Sequence, residues 1–419
     1  MNEIEQRVLK AIDTEAMLAF LCDLVAFRSL DGSETVVQHH MATTMRSFGL
    51  EVDEWEIDFA ALREHPAFCW EVERTEGLGV VGTLGEDRGG RSLIFNGHID
   101  VVPVGDPANW QHPAWQGTIV DGNVYGRGAL DMKGGLVCGL FAAKAIRDAG
   151  VQLRGRLLVQ SVIGEEDGGC GMLATIVRGH VADAAVIVEP TELCISPAQA
   201  GALNFRITVT GHSAHGCVRE EGVSAVEKFF PIYQALMALE ARRNAREQSP
   251  LFARYQLPYP LSIGTLRAGD WASSVPESLV AEGRYGIAVG EDMVVAREEF
   301  EAALARVAEA DPWLRTHPPQ IEWWGGQFES ASTSMDHPII GAVSQSYTAA
   351  TGETTRLEGM TYGADMRLLV NVGGVPTVMF GPGDVRFAHM PDEHVPVDDL
   401  IAVVRTLALT AVRFCGVVE

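Results

Sequence analysis

Four short, largely apolar stretches in this chain each lead into a segment of glycine, proline or acidic residues. Leu93-Ile94-Phe95 leads into Gly97-His98-Ile99-Asp100-Val101-Val102-Pro103, and the run from Arg156 to Val162 leads into Gly164-Glu165-Glu166-Asp167-Gly168-Gly169. Ala184 to Val188 ends in Glu189-Pro190-Thr191, and Pro376 to Phe380 is followed by Gly381-Pro382-Gly383. A short continuous apolar run bounded by turn residues fits a strand buried on both faces. An apolar stretch from Leu136 to Ile146 reads as a buried helix between two of these runs. Strands spaced by helices predict an α/β fold with a mixed, mostly parallel sheet flanked by helices. In such a sheet, ligands gather beyond the carboxyl ends of the strands. That is where His98, Glu165, Glu166 and Glu189 fall, with Asp131 in Asp131-Met132-Lys133-Gly134-Gly135 just ahead of the helix.

The remaining sequence supplies the frame. Residues 5–30 and 34–48 have helical apolar spacing, and 50–55 alternates like a strand. Residues 60–90, with six glycines, predict irregular chain. The stretch from Gly105 to Gly128 predicts a long loop carrying Trp110 and Trp115, as loop packing or as substrate contacts. Near residue 201 the texture changes. Leu203 to Thr210 alternates, which marks a half-exposed strand, and 222–244 and 291–310 read as helices between the strands 261–266 and 278–287. The expected organisation is one domain, 1–200 and 323–419, interrupted by an inserted α+β lid or dimerisation domain at 201–322.

A formal net charge of -24 excludes nucleic acid and anionic membrane as partners, because phosphate binding needs a basic patch. No apolar run approaches the ~20 residues of a membrane span. The polar start Met1-Asn2-Glu3-Ile4-Glu5-Gln6 has no secretory pattern. Seven scattered cysteines without a CxxC spacing fit reduced thiols, so a cytoplasmic protein is expected.

Taken singly, Asp131, Glu166 or Glu189 reads as a helix cap or surface charge. Taken with His98 and a late histidine they form the ligand inventory of a two-metal hydrolase, in which one carboxylate bridges the ions. His389, in Arg386-Phe387-Ala388-His389-Met390-Pro391-Asp392-Glu393, is the favoured second histidine over His394 and His337. The other member of the Glu165-Glu166 pair is then free to take a proton from water. A carboxylate near His98, such as Asp100, is placed to fix its tautomer.

These segments, together with Gly126-Arg127-Gly128-Ala129-Leu130-Asp131-Met132-Lys133-Gly134-Gly135, resemble the dinuclear zinc aminoacylase and carboxypeptidase family. That family includes acetylornithine deacetylase, succinyl-diaminopimelate desuccinylase, aminoacylase and the glutamate carboxypeptidases. The resemblance spans nearly the whole chain. It implies His98 and Glu189 on one zinc, Glu166 and His389 on the other, and Asp131 between them with a cis peptide after it. Cobalt or manganese are alternatives to zinc. It also implies Asp100 as the partner of His98 and Glu165 as general base and acid. In Gly211-His212-Ser213-Ala214-His215-Gly216, His215 matches a histidine that donates to the oxyanion, in dimeric relatives from the neighbouring subunit. Arg284 matches an arginine that binds a substrate carboxylate, and Gly363 opens a loop lining the substrate site. Ser274 stands where many relatives carry asparagine, and Ala364 where a small polar residue is usual. The implied activity is hydrolysis of an N-acyl amino acid or similar small carboxylate-bearing substrate by a homodimer. A metallo-exopeptidase, or a hydrolase of an unusual amide or amine, is the alternative.

Overall fold

The computed structural model, which describes residues 1–418, sets Leu93–His98 inside a six-stranded sheet. The strand order is Glu51–Glu56, Leu78–Leu84, Leu157–Val162, Leu93–His98, Ala184–Ile187, Thr377–Met379. The last four run parallel and the first two join antiparallel. Leu157–Val162, Leu93–His98, Ala184–Ile187 and Thr377–Met379 are buried at every position, including the polar Asn96, His98, Gln160, Ser161 and Thr377 among their apolar residues. Register positions the chemistry. His98 pairs with Val162, and Asn96 with Ile187, so His98 ends level with the Glu165-Glu166 turn and with Glu189. Gly134–Asp148, buried along almost its whole length, packs on the His98 strand and on the terminal helix Val397–Cys415.

Three sequence expectations change here. The stretch 5–30 is two helices, Glu3–Lys10 and Thr14–Ala26, because Asp13 caps the second by accepting from the Ala16 N–H at 3.0 Å. The segment 60–90 is not wholly irregular: Leu78–Leu84 is a strand. Its Gly79 lies under the Trp55 indole, where an added Cβ would come within 2.1 Å of the ring, so glycine here serves close packing. The long loop after Gly105 contains the hairpin Thr118–Val120 and Asn123–Tyr125, and His394–Pro396 adds to it as a third strand. That pairing ties the His389 segment to the chain entering Asp131.

All of these elements belong to one compact unit, Met1–Ala198, Ser332–Glu358 and the chain from Ala364 onward. A second unit, Gln199–Ala331 with Gly359–Gly363, has its own core. Its four-stranded antiparallel sheet runs Leu261–Ala268, Ser278–Ile287, Gly201–Thr210, Gln320–Phe328. Burial alternates along Gly201–Thr210, and the helices Ala225–Asn244 and Met293–Ala310 pack on each other over Phe205, Phe229, Leu236 and Phe300. The expected boundary at 322 falls inside Gln320–Phe328, whose pairing to Gly201–Thr210 carries this unit on to Ala331. No helix among the described residues is long and apolar enough to cross a membrane.

Candidate metal centre

Three strand ends and two loops of the first unit converge on Asp131. Asp131 Oδ1 lies 3.1 Å from His98 Nε2, and its Oδ2 lies 3.3 Å from His389 Nε2. His389 Nε2 also meets Glu166 Oε1 at 3.0 Å. Around His98 Nε2 stand Glu189 Oε1 at 3.8 Å and Glu165 Oε2 at 3.9 Å. Two triads have ligand atoms within 4.8 Å of one another: His98 with Asp131 and Glu166, and His98 with Glu165 and Glu189. The donors are imidazole nitrogen and carboxylate oxygen, a set that fits zinc, cobalt or manganese.

The backbone explains the aim of these groups. His98 Nδ1 lies 3.0 Å from the Asp100 carbonyl oxygen, which only accepts, so Nδ1 carries the proton and Nε2 presents its lone pair to the centre. The Asp131–Met132 peptide is cis. His389 holds a left-handed φ of 59°, and its side chain is half exposed. His394 and His337 lie in other contacts: the His394 ring sits tilted between those of Tyr125 and Phe387, and His337 caps Pro338–Thr351.

Electrostatics in the metal-free chain reflect crowded carboxylates. Burial, with Glu189, Asp365 and Glu166 adding to it, pushes Glu165 well above the usual carboxylate range. Burial and Asp131 do the same to Glu189. Burial works against protonated His389, yet its bonds to Asp131 and Glu166 hold it up at about 11. Burial likewise opposes charge on His98, and Asp100 and Asp131 overcome it, so that pKa also rises. Burial would raise Asp131, but both histidines pull it below its ordinary value. Four carboxylates around two imidazoles is an arrangement that a divalent cation neutralises.

The sequence expectations sort as follows. His98, Asp131, Glu165, Glu166, Glu189 and His389 lie together. Asp100 also lies there, but its carboxylate is 3.7 Å from His98 Nδ1 and instead accepts from the Glu166 N–H at 3.1 Å. His215, Arg284 and Gly363 belong to the second unit. There His215 Nδ1 accepts from the Cys217 N–H at 3.2 Å, opposite Ser274. Arg284 is half-buried and donates to the Thr361 carbonyl at 2.9 Å, and Gly363 packs against Phe328.

Two residues escaped the sequence reading. Glu393 is fully buried, pairs with Arg127, and accepts from the Gly128, Leu130 and Asp131 N–H groups at 2.8, 3.1 and 3.2 Å. Its only sequence signal is an acid four residues beyond His389. Asp365 is buried with neither oxygen hydrogen-bonded, and burial raises its pKa to about 7.

Comparison with known proteins places the chain in a family. Residues 94–413 match the model of Peptidase family M20/M25/M40. The chain is 30% identical, over 96% of its length and 95% of the relative, to N-formyl-4-amino-5-aminomethyl-2-methylpyrimidine deformylase of Halalkalibacterium halodurans. It is 27% identical to acetylornithine deacetylase of Myxococcus xanthus, over 82% of this chain and 85% of that one. A M20 family metallo-carboxypeptidase from Sulfolobus solfataricus shares the fold, with a TM-score of 0.77 at 16% identity over 95% of this chain and 99% of that one. The chain belongs to peptidase family M20/M25/M40 and is a metal-dependent hydrolase of C–N bonds.

Proposed function

We propose that this enzyme hydrolyses the amide of a small N-acyl amino acid or similar carboxylate-bearing compound, with two divalent ions held by His98, Asp131, Glu166, Glu189 and His389. The observation that carries the reading is Asp131, whose two oxygens lie 3.1 and 3.3 Å from two different imidazoles. One carboxylate shared by two donor sets suits a two-ion centre. His98 and Glu189 serve one ion, Glu166 and His389 the other, and zinc is the first candidate. Divalent ions there supply Lewis acidity to a carbonyl and acidify water.

Glu165 takes the proton of the attacking water and returns it to the leaving nitrogen. Its burial and its unpartnered Oε1 support that role. Asp100 fixes the His98 strand end and the Glu166 amide. His215 donates to the oxyanion, Arg284 binds the substrate carboxylate, and Gly363 lines the substrate site. These three assignments rest on resemblance. For Arg284 there is added support, since no carboxylate pairs with it among the described residues and burial lowers its pKa.

A homodimer through the second unit belongs to the same proposal. Its support is the sheet-edge strand Leu261–Ala268 with Leu266 exposed, and the exposed Phe230 and Tyr233 on Ala225–Asn244. A cytoplasmic location is supported by cysteines that are all free thiols. The deformylase relative favours a second substrate reading, an N-formylated heterocyclic amine.

The test is a panel of N-formyl, N-acetyl, N-succinyl and dipeptide substrates with zinc, cobalt or manganese. Turnover should vanish with chelator and return with metal. Glu165→Gln should keep its metal and lose about 10²–10⁴ in rate. No metal uptake by the wild type, or full turnover by Glu165→Gln, overturns the reading.

A further inference from the structure

The Glu165-Glu166 turn is closed by the Gly168 N–H donating to the Glu165 carbonyl at 3.1 Å and the Gly169 N–H donating to the Gly164 carbonyl at 2.6 Å. It runs through Gly164 and Gly168 at φ 65° and 144°, a region glycine enters without a Cβ clash, although ordering a glycine costs more conformational freedom than ordering any other residue. Contacts from outside the turn add to these bonds. On one side Arg367 Nη2 donates to the Gly168 carbonyl at 2.5 Å. On the other stands Asp167, buried, whose Oδ2 accepts from the Val72 N–H at 2.8 Å, the Glu71 N–H at 3.3 Å and Arg74 Nη1 at 2.7 Å.

Arg74 is the hub of that second contact. Its side chain is wholly buried, and each of its five N–H groups has an acceptor. Nη1 meets Asp167 and the Val72 carbonyl, Nη2 meets Asp31 Oδ1 at 3.0 Å and Glu34 Oε1 at 2.9 Å, and Nε meets Glu34 at 3.3 Å. The guanidinium also lies against the turn itself, because a Cβ on Gly164 would come within 2.9 Å of Arg74 Nη2. A planar fork with five fixed donors locks geometry in a way a lysine ammonium does not.

We propose that Arg74 is a positioning residue for the reaction: through Asp167 it sets the direction in which the adjacent Glu165 and Glu166 side chains point. The proposal rests on the roles given above to those two glutamates. A purely structural Arg74 would stabilise the fold without bearing on the turn. A positioning Arg74 bears on rate, since a displacement of about 1 Å at a reacting group costs about 10²-fold.

The test compares Arg74→Lys, Arg74→Met and Asp167→Asn, all metal-loaded, with amide hydrogen exchange measured on the metal-free proteins. Arg74→Met should lower kcat about 10²-fold with KM changed less than about 3-fold, and Arg74→Lys should recover part of that loss. Amides of 165–169 should exchange faster in the variants, while those of 93–96 keep their protection. If Arg74→Met does not fold, Asp167→Asn must show the same split at smaller amplitude. Variants whose kcat per folded, metal-loaded chain equals that of the wild type overturn the proposal, as does unchanged exchange at 165–169. Glu165→Gln in the same series separates the two readings. If it retains turnover, the base assignment fails, whereas the exchange result still decides whether Arg74 holds the turn.

Discussion

Glu393→Ala removes a buried acceptor that holds the Asp131 segment from outside the centre itself. Glu393 is fully buried, and its two oxygens serve four partners: three backbone N–H groups of the Asp131 segment and the Arg127 guanidinium. Removing a hydrogen-bond acceptor from a buried N–H costs about 1–3 kcal/mol. Orphaning a buried charge costs about 3–5 kcal/mol. These costs are not additive, because water enters the space left behind, so the ion-pair figure of about 3–5 kcal/mol is the working value. It is a large part of the ~5–15 kcal/mol that holds a domain folded. At about 1–2 °C per kcal/mol for a chain of this size, the melting temperature should fall by roughly 3–10 °C. Thermal unfolding by circular dichroism in excess chelator reads this without a contribution from bound metal. Glu393→Gln keeps the volume and one acceptor, so it should lose about half as much. Adding Arg127→Met to Glu393→Gln removes the orphaned cation and should restore most of the loss, since a buried pair exchanged for apolar volume is often neutral. A Glu393→Ala protein within about 1 kcal/mol of the wild type would refute the reasoning.

Three further expectations concern the centre and the fold. His98 serves one proposed ion and His389 the other, so His98→Ala and His389→Ala should each keep about one of two ions; elemental analysis per chain decides. Asp100→Asn preserves an acceptor for the Glu166 N–H and leaves the carbonyl that fixes His98 untouched, so metal content should hold while turnover falls about 10-fold. The Arg413 hydrogen bond at 2.7 Å holds Glu5 below its ordinary pKa. A depressed folded-state pKa contributes stability above the unfolded value of about 4.3 and loses it as pH falls through the folded value, so Glu5→Gln should flatten the acid limb of a stability-against-pH curve.

What the sequence made legible follows from where the information is local. His98, Glu165, Glu166 and Glu189 were found because each stands at the end of an apolar run, and parallel register then brings such ends together without further instruction. Leu78–Leu84 was not legible, because its glycines signal a loop until Trp55 is known to lie over one of them. The hairpin at 118–125 was hidden for a related reason: its strands are three residues each, and only His394–Pro396, from the far end of the chain, completes the sheet. Arg74 and Glu393 are the sharper case. Each is a single charged residue in an irregular segment, where an exposed charge is the ordinary expectation. Their importance lies in burial and in partners roughly ninety and two hundred and sixty residues away.

Asp100 shows the limit within a correctly read motif. The spacing His98-x-Asp100 names the right pair of residues but not the bond between them. Successive side chains of a strand point to opposite faces, and residues two apart share a face, so a carboxylate contact with His98 was the natural reading. The chain leaves the sheet just after His98, where Val101 forms an isolated bridge with Leu30. The backbone carbonyl of Asp100 thereby reaches Nδ1 first, and the carboxylate is freed to take the Glu166 N–H. One residue thus orients a ligand of each proposed ion, His98 by its main chain and Glu166 by its side chain. Such a double role gives a short path between the two ligand strands, and it is why Asp100→Asn should act on rate before it acts on metal.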